Sequence, residues 1–231
     1  MRSQEFNPET FWGRYEQLIR GEIGNELDDF KQLLHGINMD CLTKLSNIES
    51  GPDGLTVQGL LNCSGEERCQ ILSAILYDEA LWRLEAAYLM ISAGLLNIAY
   101  ANIRESREAL VKAFIIHRID SEARKFLEGK EVDPTKIEAF LLPNINQQLI
   151  DIQKICSIWG THTYLQSVQL TTMFGPGRFQ RVVAEVPKVN RKIELRNGFA
   201  DTACRCINLA KELGILFIFL LSKSLPPKSS A

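Results

Sequence analysis

Residues 77–118 read YDEALWRLEAAYLMISAGLLNIAYANIRESREALVKAFIIHR, and this stretch decides the fold. Leu81, Leu84, Tyr88 and Ile91 recur three and four apart. Beyond Gly94 so do Leu95, Ile98, Ala99, Ile103, Leu110, Phe114 and Ile115. That spacing lines apolar side chains along one stripe of a helix. Ala86, Ala87, Met90, Ala93, Leu96 and Ala101 widen the stripe until few positions before Arg104 are left for solvent. A helix apolar on most of its circumference is buried on several sides. The stretch therefore belongs at the centre of a bundle. Gly94 costs the helix about 1 kcal/mol relative to Ala. The spacing leaves open whether it breaks the stretch into two helices or marks a close crossing.

Working outward, Asn7-Pro8-Glu9 reads as a helix start. Phe11, Tyr15, Leu18, Ile19, Ile23, Leu27, Phe30 and Leu34 then form a stripe that ends at His35-Gly36, with Gly21 and Gly24 as places for a bend. Residues 37–47 read as a short extra helix, and the Gly- and Pro-containing run 46–65 as a loop. Ser64 and Glu67 form a capping box for a helix leading into the central stretch, with Ile71, Ile75 and Leu76 turned inward. Asp120 or Ser121 caps a helix ending at Glu128-Gly129. Asp133-Pro134 opens another that Pro143 stops, with Ile137, Phe140 and Leu141 on one side, and Asn144 caps a helix to Trp159.

After Gly175-Pro176-Gly177 the composition changes to Val182, Val183, Val186 and Val189 around Pro187. This reads as a small extended excursion near 176–196. The last helix is placed at about 199–222, apolar all round in its final turns. Such a helix is buried in the core or against a second copy of the chain. The fold predicted is an all-α multi-helix bundle forming a single helical domain, with residues 1–8 and 223–231 as frayed ends.

A net charge of −2 with interspersed signs gives no bulk attraction to nucleic acid. The most apolar run, Ile215–Leu221, is far shorter than the roughly 20 residues needed to cross a bilayer. None of the six cysteines forms a C-x-x-C pair, and the N-terminus carries no apolar leader, so reduced thiols in the cytoplasm are expected. There is no G-x-x-x-x-G-K-[ST], G-x-S-x-G or H-E-x-x-H pattern, and no cofactor or metal is expected.

Two polar features remain. The segment with Arg178, Arg181, Arg191 and Lys192 is the most basic in the chain. It reads as a solvated arm or as a contact for RNA or an acidic partner. Arg104 and Glu108 sit four apart within the greasy stretch, flanking Arg107, and form either a structural or solvated pair or part of a site.

The pattern G-L-L-x-x-A-x-x-x-x-R-x-x-x-E, carried by Gly94, Leu95, Leu96, Ala99, Arg104 and Glu108, resembles a stretch of bacterial and archaeal helical proteins near the HEPN-like bundles. In that group a later helix carries small residues with a His, matched here by W-G-T-H-T, Trp159–Thr163. The resemblance covers about residues 75–170. It implies a helical bundle, often dimeric, with some RNA-cleaving members. It also implies a candidate catalytic set of Arg104, Glu108 and His162, with Arg107, Thr161 and Thr163 as binding residues. In such a set His162 would be the acid or base and an Arg would hold phosphate. The catalytic signature of that group is an Arg four to six residues before a His, and none of His35, His117 or His162 has one. The function expected is accordingly a non-catalytic interaction or scaffold protein acting as a homodimer. The alternative is a metal-independent ribonuclease or toxin-type RNA-binding protein.

Overall fold

The computed structural model describes residues 8–45, 56–160 and 189–224, with side chains described for 19–41, 56–160 and 200–224. The described residues form helices α1 (Pro8–Leu45), α2 (Val57–Asn62), α3 (Gly65–Ser92), α4 (Leu96–Ile116), α5 (Asp120–Leu127), a 3₁₀ turn (Pro134–Ala139), α6 (Pro143–Gly160) and α7 (Val189–Ser224). No strand occurs among them, and the all-α multi-helix bundle expected from periodicity is what is found. No helix among the described residues is long and apolar enough to cross a membrane.

Gly94 breaks the central stretch. Its φ of +71° is left-handed backbone that favours glycine. The Leu95 amide donates to the Met90 carbonyl at 2.8 Å and the Gly94 amide to Ile91 at 2.8 Å. These are the two bonds of a Schellman cap. The same pair of bonds closes α5 at Gly129, φ +74°, where the sequence places its end. The turn folds α3 and α4 into an antiparallel hairpin. Contacts symmetrical about Gly94 fasten it: the Ser106 hydroxyl donates to the Ala80 carbonyl at 2.6 Å, and Arg83 pairs with Glu105 at 2.8 Å.

Around this hairpin, α4 packs against α3, α5, the 3₁₀ turn, α6 and α7, and α1 packs against α3 and α7. The core stripe of α1 is Ile19, Ile23, Leu27, Phe30, Leu34, Ile37 and Cys41. Because Ile37 and Cys41 continue the stripe, α1 runs through His35-Gly36 instead of ending there. The bend expected near Gly21 and Gly24 appears at Ile23, whose φ is −136°. The apolar end of α7 buries Leu213, Leu216, Phe217, Leu220 and Leu221 within the chain, while Ile215 faces outward. The Tyr77 hydroxyl meets Ser224 Oγ at 2.7 Å, and Arg118 donates to the Lys223 carbonyl at 3.0 Å, capping the helix's last turn.

Four other expectations are corrected. Helix α7 begins at Val189, so residues 189–196 of the expected extended excursion are helical; 176–188 lie outside the described residues. The turn-rich run before Gly65 holds α2, capped by the Thr56 hydroxyl. Pro143 opens α6 rather than only stopping the turn before it, since a first-turn proline gives up no helical bond. Asp120 caps nothing: its carboxylate holds the guanidinium groups of Arg68 and Arg124. Residues 165–174, where the sequence predicts a further helical segment, lie outside the described residues.

A buried carboxylate locks α5 to the 3₁₀ turn. Glu122, 0 % exposed, receives Lys136, Lys125 at 2.9 Å and the Asp133 amide at 3.2 Å. Lys136, then Lys125, then that amide hold its carboxyl down at about 2, against an ordinary value of 4.5. The stabilisation is complete above about pH 4.5 and lost as pH falls toward 2. Both lysines reach solvent, so its size is discounted to about 1 kcal/mol. Urea unfolding as a function of pH is expected to show this loss in the wild type and a flatter acid limb in Glu122→Gln; parallel profiles would contradict it.

Candidate functional site

The structure brings Arg104, Arg107 and Glu108 together on α4 where it meets α6, and gives them structural partners. Arg107 is 8 % exposed and donates Nε to the Leu149 carbonyl at 3.1 Å. Burial lowers the pKa of its guanidinium, against the opposing charge of Glu108. Arg104 Nε lies 3.5 Å from Glu108 Oε1, in charge contact but without a hydrogen bond. The Gln153 amide donates to the same Glu108 oxygen at 3.3 Å. The Cys156 thiol, buried beside them, is pushed up to about 12 by burial, which outweighs Arg104 and Arg107. Thiolate is the reactive form, so this cysteine is inert packing near neutral pH. The cluster cross-links α4 to α6.

Thr161, His162, Thr163, Arg178 and Arg181 lie outside the described residues. So do the side chains of Arg191 and Lys192, whose backbone falls in the first turn of α7. A ribonuclease site would need Arg104 and His162 to converge, and only the first is described.

A second polar cleft holds Cys69 of α3, His117 at the end of α4 and Asp120 at the start of α5. His117 Nδ1 is 3.4 Å from Ser73 Oγ, and burial, then Arg118, lower its pKa. Burial and then Asp120 push the Cys69 thiol up to about 11, which removes a thiolate nucleophile near neutral pH.

The feature that sequence reading missed is the outer face of α3. Ile75, Trp82 and Leu89, seven residues apart, are 42 %, 55 % and 58 % exposed. Seven residues is two helical turns, so the three form one outward stripe. Trp82 is flanked on that face by Asp78, Glu79 and Glu85, three and four residues away. The Arg83 guanidinium sits 4.8 Å from the Trp82 ring centroid and is tied to Glu79 at 2.7 Å and Glu105 at 2.8 Å. Beside Trp82 the acids and Asn38 of α1 line a shallow cleft of about 340 Å³. Burial and then the Asp78 charge raise the Glu85 carboxyl. Ile75 was expected inward. It faces out while its neighbours Ile71, Leu72 and Leu76 take the buried positions of that part of α3. The three acids around Trp82 were the available signal, since charges at three and four residues mark an outward face.

Comparison with protein-family models, curated proteins and solved structures finds no match.

Proposed function

We propose that this chain is a non-catalytic interaction protein that receives an amphipathic helix of a partner on the outer face of α3. The single observation that carries this reading is the exposed heptad stripe Ile75–Trp82–Leu89 with Trp82 at its centre. Exposed tryptophans anchor helix-in-groove contacts because one side chain buries a large area at small entropic cost. The flanking Asp78, Glu79 and Glu85 select a partner with lysines or arginines beside its apolar ridge. They also repel phosphate, which turns this face from RNA toward protein.

The homodimer expected from the sequence is the competing occupant. A two-fold antiparallel pairing through Trp82 would set Asp78 and Glu79 against the copy's Glu85, with like charges opposed. On α7 the apolar end turns Leu213, Leu216, Phe217, Leu220 and Leu221 into the chain and leaves Ile215 62 % exposed.

The test titrates a synthetic helical peptide, with leucines in heptad spacing and lysines on both flanks, into the wild type, Trp82→Ala and Glu85→Gln. Saturable binding is expected, weakened by about tenfold or more in Trp82→Ala and by rising salt in the wild type. Equal binding by all three proteins sinks the reading. Sedimentation as a dimer that Trp82→Ala dissociates would assign the face to a second copy instead.

A further inference from the structure

Between α4, α6 and α7 lies a separate cleft of about 400 Å³. Its floor is apolar and partly aromatic: Trp159 stacks on Tyr100 at 6.1 Å between centroids and 26° between planes, and Ile155 and Leu209 extend the surface. The volume falls within the range of small-molecule sites. One wall is polar and comes from α7 alone. Arg205, Asn208 and Glu212 follow at intervals of three and four residues and so share one face. Arg205 and Glu212 stand seven residues apart, about 10 Å along the axis. That is too far for them to satisfy each other. None of the three side chains makes a hydrogen bond or ion pair with any described residue. A cation and an acceptor are thus held at opposite ends of an aromatic trough, with an amide between them.

We infer that this cleft binds a small planar aromatic acid that carries a hydroxyl or amino group at the end opposite its carboxylate. The ring lies along Trp159, Ile155 and Leu209. The carboxylate takes the Arg205 guanidinium, which matches it bidentately. The distal donor reaches Glu212, and Asn208 serves either edge. A purely apolar ligand would leave Arg205 and Glu212 facing it unpaired, and a simple anion would leave the aromatic floor unused. Both charged groups are exposed, so the site orders a ligand without burying a lone charge. The inference is independent of the α3 face.

The probe is 4-hydroxycinnamate, rigid and flat, with its carboxylate and hydroxyl at opposite ends. It is compared by titration calorimetry with cinnamate, which lacks the distal donor, and 4-hydroxycinnamyl alcohol, which lacks the carboxylate. Saturation with a Kd of about 1 mM or tighter is expected for a ligand of this size. Arg205→Ala is expected to weaken both acids about tenfold while leaving the alcohol unchanged. Arg205→Lys is expected to recover part of that loss, as a point charge in place of a fork. Glu212→Ala is expected to bring 4-hydroxycinnamate down to the level of cinnamate. The substituted side chains are on the surface, and far-UV circular dichroism with thermal unfolding checks that each variant is folded. No saturation by about 10 mM, or equal affinity of the wild type, Arg205→Ala and Glu212→Ala for all three probes, overturns the inference.

Discussion

Replacing Arg68 by Met is expected to lower the unfolding free energy by about 3 kcal/mol. Arg68 is 0 % exposed. Its Nε donates to the Leu60 carbonyl at 2.8 Å, and one terminal nitrogen donates to Leu61 at 3.0 Å and Cys63 at 2.7 Å, while the other holds Asp120. Leu60 and Leu61 lie in the last turn of α2 and Cys63 just past it, where helix carbonyls lack partners of their own. One guanidinium therefore caps α2 and joins it to α5. A bond to a charged donor contributes about 1.5–3 kcal/mol. The sum is smaller than three such bonds because Leu61 and Cys63 are half-buried and regain water in the variant. Asp120 adds little, being 38 % exposed and still held by Arg124. Met matches the aliphatic stem, so the loss reports the polar head. Arg68→Lys is expected to restore no more than part of it, since an ammonium lacks the planar fork. Urea unfolding gives the magnitude, and amide exchange is expected to rise first across 57–63. A loss below about 1 kcal/mol would mean that water replaces the guanidinium at little cost.

Gly160→Ala is expected to cost about 2 kcal/mol. A Cβ there would meet the Ala101 amide nitrogen at 2.7 Å, the Tyr100 carbonyl carbon at 3.0 Å and the Ala101 Cα at 3.1 Å. All three are backbone atoms of α4 and have no rotamer to escape into. Relief requires α6 to move off α4, loosening the Tyr100–Trp159 stack and the Gln153–Glu108 contact with it. Two other glycines serve as internal comparisons. A Cβ at Gly36 meets nothing within 4 Å, so Gly36→Ala is expected to stabilise α1 by up to about 1 kcal/mol. At Gly214 the nearest atoms are side-chain tips, Leu33 Cδ2 at 2.9 Å and Ile37 Cδ1 at 3.2 Å, which can turn aside. There the helical gain and the crowding are expected to offset each other. If the three variants change stability alike, helix propensity and not the α4–α6 approach governs Gly160.

Much of the fold was legible where a local rule acts alone. The left-handed caps at Gly94 and Gly129 require glycine whatever surrounds them, and Glu128-Gly129 was readable as an end. The alternatives at Gly94 were decided by hydrogen bonds to Ile91 and Met90, which spacing does not display. His35-Gly36 misled for the opposite reason. A glycine that looks like a stop is carried through when the next residues of the stripe, Ile37 and Cys41, have a core to enter.

The site was less legible than the fold. Arg107 and Glu108 stood out in sequence as charges in a greasy helix, and their partners, the Leu149 carbonyl and the Gln153 amide, come from 42 and 45 residues away. Arg68 drew no notice because its three carbonyl partners, though close in sequence, are gathered by the bend between α2 and α3.

The sequence by itself determined that this chain is helical, where its strongest punctuation falls, and that residues 77–118 lie at the centre, because periodicity and backbone preference are properties of neighbouring residues. Only the tertiary structure decided that Ile75 and Leu89 join Trp82 on an open face of α3. The acids around Trp82 mark its own position as outward, but spacing sets Ile75 inward, and the face carrying all three is the one left among the described residues when α1, α4 and α7 occupy the others.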